Sequence, residues 1–83
     1  MLVRLSPRLS RAGRALLGWR LQDLADASGV SPHTLRAFER KDESGRLQAI
    51  NNRTVIATFE AYGLTFISEN GGGAGVRLSN RAK

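Results

Sequence analysis

The chain has 83 residues, no cysteine, and 13 Lys and Arg against 7 Asp and Glu, for a formal net charge of +6. That length suits a single small domain with one modest core, and the missing cysteine excludes a disulfide framework and any thiolate metal site. No stretch approaches the roughly 20 apolar residues of a bilayer span, and the N-terminus lacks the apolar run of a signal peptide, so a soluble, cytoplasmic chain without membrane contact is expected.

Residues 1–5 read as a flexible arm or a short strand. Ser6-Pro7 is a helix start, since serine can cap and proline suits the first turn. Leu9, Ala12, Gly13, Leu16 and Leu17 then recur at the spacing of one helical stripe, which turns Arg8, Arg11 and Arg14 toward solvent or a ligand. Gly18 is placed to end this first helix in a left-handed conformation, with Trp19 as the plug between it and the next. A second helix is predicted over 21–28, with Leu21, Leu24 and Ala25 inward and Asp23 and Asp26 outward as solubilising charges. Gly29 marks a sharp turn at positive φ. Ser31 caps and Pro32 opens a third helix, about 31–40, which directs Leu35 and Phe38 to the core. His33, Thr34, Arg36 and Arg40 are left on a polar, partly cationic face.

From Lys41 onward the pattern is less regular. Asp42, Glu43, Ser44 and Gly45 read as a turn, and Leu47 and Ile50 as residues tucked under the core. Asn51 or Asn52 is expected to cap a fourth helix over about 53–62 that buries Val55 or Ile56, Phe59 and Tyr62, with Gly63 terminating it. Residues 64–68 favour strand by composition, 69–75 form a glycine-rich turn, and Val76-Arg77-Leu78 alternates, so a β-hairpin follows. Two strands alone are marginal, and an unpaired edge invites a partner. Pairing with the same strand of a second subunit places Phe66, Ile67, Val76, Arg77 and Leu78 at a two-fold interface. The alternative is a hairpin that packs on its own domain and stays monomeric.

Two short helices broken at a glycine, the second carrying a cationic face, form the pattern of a helix-turn-helix that sets its second helix in the DNA major groove. Eleven of the thirteen cations are arginine, and the first twenty residues hold five of them with no acid. Arginine suits forked contacts to phosphate and guanine, so the charge points to a polyanion. A membrane surface is excluded because no long amphipathic helix with aromatic anchors is present. Single-stranded RNA is disfavoured because Phe38, Phe59 and Phe66 fall on predicted core faces rather than on an exposed stacking surface.

The series Leu21-x3-Ala25-x3-Gly29-x5-Leu35-x2-Phe38, followed by Glu39 and with Gly29-Val30-Ser31 at the turn, resembles the Cro/lambda-repressor-type (XRE family) helix-turn-helix regulators. The resemblance covers roughly residues 9–63. The tail from Gly63 through Phe66-Ile67, Glu69 to Gly73 and Gly75-Val76-Arg77-Leu78 is similar to that of small bacterial members. It implies a mainly α fold, a four- to five-helix lambda-repressor-like DNA-binding domain over 1–63, with the C-terminal β-hairpin and a short tail over 64–83. By the same resemblance Pro32, His33 and Ala37 match positions that read base edges, Ser31 and Thr34 match phosphate contacts, and Arg40 matches a backbone or base contact. Leu21 departs from the glutamine many members carry there, so Gln22 or Arg20 must supply that phosphate contact. Pro32 has no donor and can read only shape or a thymine methyl. With Arg14, Arg36 and Lys41 these complete the expected DNA-contacting set, and its specificity rests on His33, Arg36 and Arg40.

Other chemistries find less support. His33, the sole histidine, has no partner at metal-ligand spacing. The run Gly71–Gly75 lacks the following Lys-Ser/Thr and the helix that a phosphate loop requires. Glu39 is expected to orient an arginine or cap the structure, and Glu60 and Glu69 read as surface charges. No nucleophile–base–acid set is present, so no enzyme, metal or cofactor is expected. The expected function is sequence-specific binding of a palindromic double-stranded operator by a homodimer. Its recognition helices would lie about 34 Å apart, and repression, including of its own gene, is the default mode. RNA polymerase or another protein is a further candidate partner. The alternative is an antitoxin or adaptor that docks a protein through the edge of the C-terminal strand.

Overall fold

The computed structural model describes residues 4–69 and 71–79, so the arm at 1–3, Asn70 in the turn and the tail at 80–83 lie outside the described residues. Four helices, α1 (Pro7–Leu17), α2 (Leu21–Ser28), α3 (Pro32–Glu39) and α4 (Ala49–Ala61), precede a hairpin of β1 (Leu64–Ile67) and β2 (Gly75–Leu78). The mainly α expectation stands, with four helices.

Local chemistry sets most of the boundaries. Ser6 accepts the Leu9 amide and Pro7 occupies the first turn of α1, which ends at Gly18 with φ 69°. Ser31 accepts the Thr34 amide and Pro32 opens α3 in the same way. Between α2 and α3 the chain turns at Gly29, where φ is 78°, a conformation that a β-carbon disfavours. Its amide donates to the Ala25 carbonyl at 2.9 Å. At the start of α2, Asp23 rather than the cap residue closes the turn: its carboxylate accepts from the Arg20 amide at 2.8 Å. Asp23 therefore holds a helix end and is more than the solubilising charge expected of it.

The core is built from Leu5, Leu24, Val30, Leu35, Phe38, Val55, Ile56, Phe59, Leu64 and Phe66, with Ala25 where α2 needs a small residue. Leu5, expected in an arm or strand, is fully buried, and its amide donates to Asn52 Oδ1 at 2.9 Å. That bond explains the largest boundary error. Asn52 lies inside α4 and ties down the N-terminal segment, while the helix begins four residues earlier than expected, after Gln48. Ile50 then sits on the outer side of the first turn, 71% exposed, instead of under the core. Tyr62 is likewise half exposed, edge-on to Trp19 with ring centroids 4.8 Å apart. Trp19 also stacks on Phe59 of α4, with ring centroids 6.1 Å apart, and packs against the core.

The buried stripe of α1 is also turned from the expected one. Pro7, Ser10 and Gly13 face inward and Leu16 is exposed. Ser10, 0% exposed, takes a core position because its hydroxyl donates to the buried carboxylate of Glu39 at 2.6 Å. At Gly13 a β-carbon would stand 3.1 Å from the Phe59 ring and 3.2 Å from Leu64, so glycine sets how closely α1 approaches α4 and β1.

The strands pair antiparallel in the register Leu64 with Leu78, Thr65 with Arg77, Phe66 with Val76 and Ile67 with Gly75. Leu64 and Phe66 join the same core as the helices, and Phe66 lies against Phe59 with centroids 5.7 Å apart. The hairpin thus packs on its own domain. Phe66 takes its predicted core face and is withdrawn from the expected intersubunit set, and Val76, half-buried against that core, is largely used within the chain too. Ile67 is half-buried, and Arg77 and Leu78 are exposed.

Candidate nucleic-acid interface

Helix α3 is divided by its own periodicity. Leu35, Phe38 and Glu39 face inward, and His33, Arg36, Ala37 and Arg40 face out. Those four recur at the i, i+3, i+4, i+7 spacing that lays residues along one helical stripe. Pro32 and Thr34 are half-buried at its start. The Ser31 hydroxyl is exposed and already engaged, accepting from the Thr34 amide at 3.0 Å and donating to Thr34 Oγ1 at 3.2 Å.

Glu39 anchors the helix from beneath. Arg14 Nη2 meets Glu39 Oε1 at 2.6 Å and Arg14 Nε meets Oε2 at 3.1 Å, while Arg14 Nη1 donates to the Trp19 carbonyl at 3.2 Å. Arg11 also donates to the Glu39 carbonyl. The Glu39 side chain is 5% exposed and that of Arg14 is 19%. Arg14, expected to face solvent or DNA, is therefore removed from the contacting set: its donors are spent on α3 and on the α1–α2 corner. The geometry is a forked, charge-assisted pair, which locks the orientation of α3 against α1. Glu39 orients an arginine, as its position suggested.

The α2 side chains expected to hold phosphate are engaged within the chain. Arg20 is exposed, but its guanidinium lies 3.4 Å from Asp23, and hydrogen bonds from Arg20, its backbone amide first, hold the Asp23 carboxyl below its ordinary range. The Gln22 amide donates to Asp26 at 2.9 Å. Both groups expected to replace the missing glutamine are thus accompanied by a carboxylate, which lessens their attraction for a polyanion.

The other end of α3 is different. Arg36, Arg40, Lys41 and Arg46 are exposed and have no ion-pair partner among the described residues. Beyond Arg40 the chain folds back sharply. Asp42 accepts from the Ser44 hydroxyl at 2.5 Å and the Ser44 amide at 3.0 Å, bonds that keep its carboxyl below the usual range. A β-carbon at Gly45 would come within 2.5 Å of Lys41 Cβ, so only glycine permits the loop to close this tightly. Glu43 is drawn 3.6 Å from Arg8 on α1.

This fold-back brings Arg46, Gln48 and Asn51 beside His33, Ala37 and Lys41, lining a groove of about 350 Å³ along α3. The first three were not among the expected contacts. No local periodicity marks them, because they reach α3 only through closure of the 41–48 loop; an isolated cation just after a turn glycine was the available hint. Together they make one surface with a cationic rim and amide donors and acceptors, able to hold phosphate and meet base edges.

No known family model matches the chain, and no curated protein matches it. Among the described residues no helix is long and apolar enough to cross a membrane.

Proposed function

We propose that this protein is a sequence-specific double-stranded DNA-binding regulator of transcription, with a lambda-repressor-like helix-turn-helix in which α3 is the recognition helix. The observation that carries this reading is the two-sidedness of α3. Its inner face is fixed by Leu35, Phe38 and the Glu39–Arg14 pair, while Arg36 and Arg40 stand outward without an acidic partner among the described residues. A rigid helix presenting unpaired arginines suits entry into a major groove, where arginine pairs with guanine by two hydrogen bonds. His33 and Ala37 complete the base-facing stripe, and Lys41 and Arg46 grip the flanking phosphates. Two copies of the chain on a palindromic operator would present two such helices, and repression follows from occupying the site.

Footprinting on DNA around its own gene tests the proposal. A protected palindrome is the expected result, and the Lys41→Ala and Arg46→Ala variants should each flatten the salt dependence of binding by about one counterion. Weak binding that vanishes with salt and leaves no footprint overturns it. That outcome favours the second reading, a protein-docking module, for which the observation is the two-stranded sheet: among the described residues neither strand has a second neighbour.

A further inference from the structure

We infer that the outer face of α4 is a contact between two copies of this chain, packed antiparallel about a two-fold axis. Helix α4 leaves Ile50, Arg53, Ala57, Glu60 and Ala61 exposed, with Thr54 half-buried among them. Ile50, Thr54, Ala57 and Ala61 follow the 4-3-4 spacing of a coiled-coil seam, here made narrow by alanine. The threonines add methyl groups to it. Thr54 Oγ1 donates to the Ile50 carbonyl and Thr58 Oγ1 to the Thr54 carbonyl, each at 2.9 Å, so their hydroxyl donors are spent inside the helix. Beside the seam lies a groove of about 410 Å³ lined by Ala27, Thr54, Ala57, Thr58, Ala61 and Tyr62, with Arg53 along it. At the other end stands Ile50, a large apolar side chain that its own domain does not cover.

Knob and groove lie at opposite ends of the α4 face, the groove closed on one side by Ala27 of α2, and an antiparallel pair is the arrangement that joins them. With the axis between Thr54 and Ala57, Thr54 of one protomer faces the partner's Ala57. Ile50 enters beside the partner's Ala61, at the end of the groove lined by Tyr62. The same alignment sets Arg53 beside the partner's Glu60, and by symmetry the contact occurs twice. Neither Arg53 nor Glu60 has an ion-pair partner within its own chain among the described residues. A parallel pair would bring neither charge opposite its complement. This self-complementarity in shape and charge selects a second copy as the occupant. It moves the contact between copies from the hairpin, whose Phe66 is committed to its own core, to α4.

Sedimentation equilibrium of the full chain without DNA tests the inference. A reversible monomer–dimer equilibrium is expected, weakened at least about tenfold by Arg53→Glu, which creates two like-charge contacts. Combining Arg53→Glu with Glu60→Arg should return association to near the unsubstituted level. Both positions are exposed, and unchanged thermal melts of the monomer would show that the fold is intact. A chain monomeric at all concentrations overturns the inference. So does an unaffected Arg53→Glu variant, a charge exchange that fails to restore pairing, or association lost only on Leu78→Glu in β2. The inference deepens the proposed pairing of two copies, but because the measurement contains no DNA, its failure leaves the footprint result standing.

Discussion

The arginines of α1 and those of α3 sit on short helices at similar spacings, but they have different surroundings. Arg14 is clasped by Glu39 at 2.6 Å beneath the helix it supports, whereas Arg36 and Arg40 extend from that helix without an acidic partner among the described residues. One cation holds α3 against α1, and the others are left exposed for the base contacts proposed for that helix. The role of a helical arginine here depends on whether a carboxylate from another element lies within reach, and composition carries no information about that.

The strongest way to break the comparison is Glu39→Ala. It strands the Arg14 guanidinium and the Ser10 hydroxyl against the core, and removing one member of a buried pair costs about 3 kcal/mol or more. In a domain this size that lowers Tm by roughly 12 °C or more, read from a circular dichroism melt. A change under about 1 kcal/mol would show that Glu39 does not anchor α3. Arg36→Ala is the converse. Stability should move by less than about 0.5 kcal/mol, while affinity for the preferred operator falls by about 1–3 kcal/mol with relaxed specificity at one base pair, measured by titration on a panel of substituted sites. Equal weakening on every sequence would demote Arg36 to a phosphate contact.

Gly13→Ala sharpens the structural half. Alanine favours helix by about 1 kcal/mol, but the added carbon meets Phe59, which is fully buried and cannot withdraw. A net loss of about 1 kcal/mol in urea unfolding is expected, and stabilisation would mean that α1 can slide away from Phe59. The smallest effect is expected from Asp23→Asn. The folded carboxyl is held below its ordinary value of 3.8, so the charged form stabilises the start of α2 at neutral pH. That contribution is present above the unfolded-state value and is lost as pH falls through the folded one. The variant should melt slightly lower than the parent at pH 7, and the two curves should converge in acid, once the pH lies below the lowered value of the folded carboxyl. A difference that persists there would assign the effect to shape rather than charge.

Much of the local structure was legible in the sequence. Ser6-Pro7 and Ser31-Pro32 announce two helix starts, because a side-chain oxygen followed by a residue without an amide hydrogen meets the needs of a first turn. Gly18 and Gly29 announce two ends. The errors cluster where a polar residue is buried by a distant partner. Asn52 looked like a cap and is an acceptor for the Leu5 amide, 47 residues away. Ser10, outside the apolar stripe, lies in the core, which turned the inward face of α1 from the one that apolar residues suggested. In the candidate site, His33, Arg36 and Arg40 follow from helical spacing and Ala37 from the resemblance, while Arg46, Gln48 and Asn51 join them only through a loop closure that periodicity cannot report.

By itself the sequence left the helix count at four to five and determined the caps of α1 and α3, the Gly29 turn, the hairpin and most of the outward stripe of α3, since each of these depends on contacts within a few residues. The tertiary structure alone decided which arginine is paired beneath α3, how far α4 extends, that the hairpin packs on its own domain, and that α4 keeps an apolar face exposed. Those outcomes depend on which distant group satisfies a charge or an amide once water is excluded, and burial makes that choice too costly to leave open.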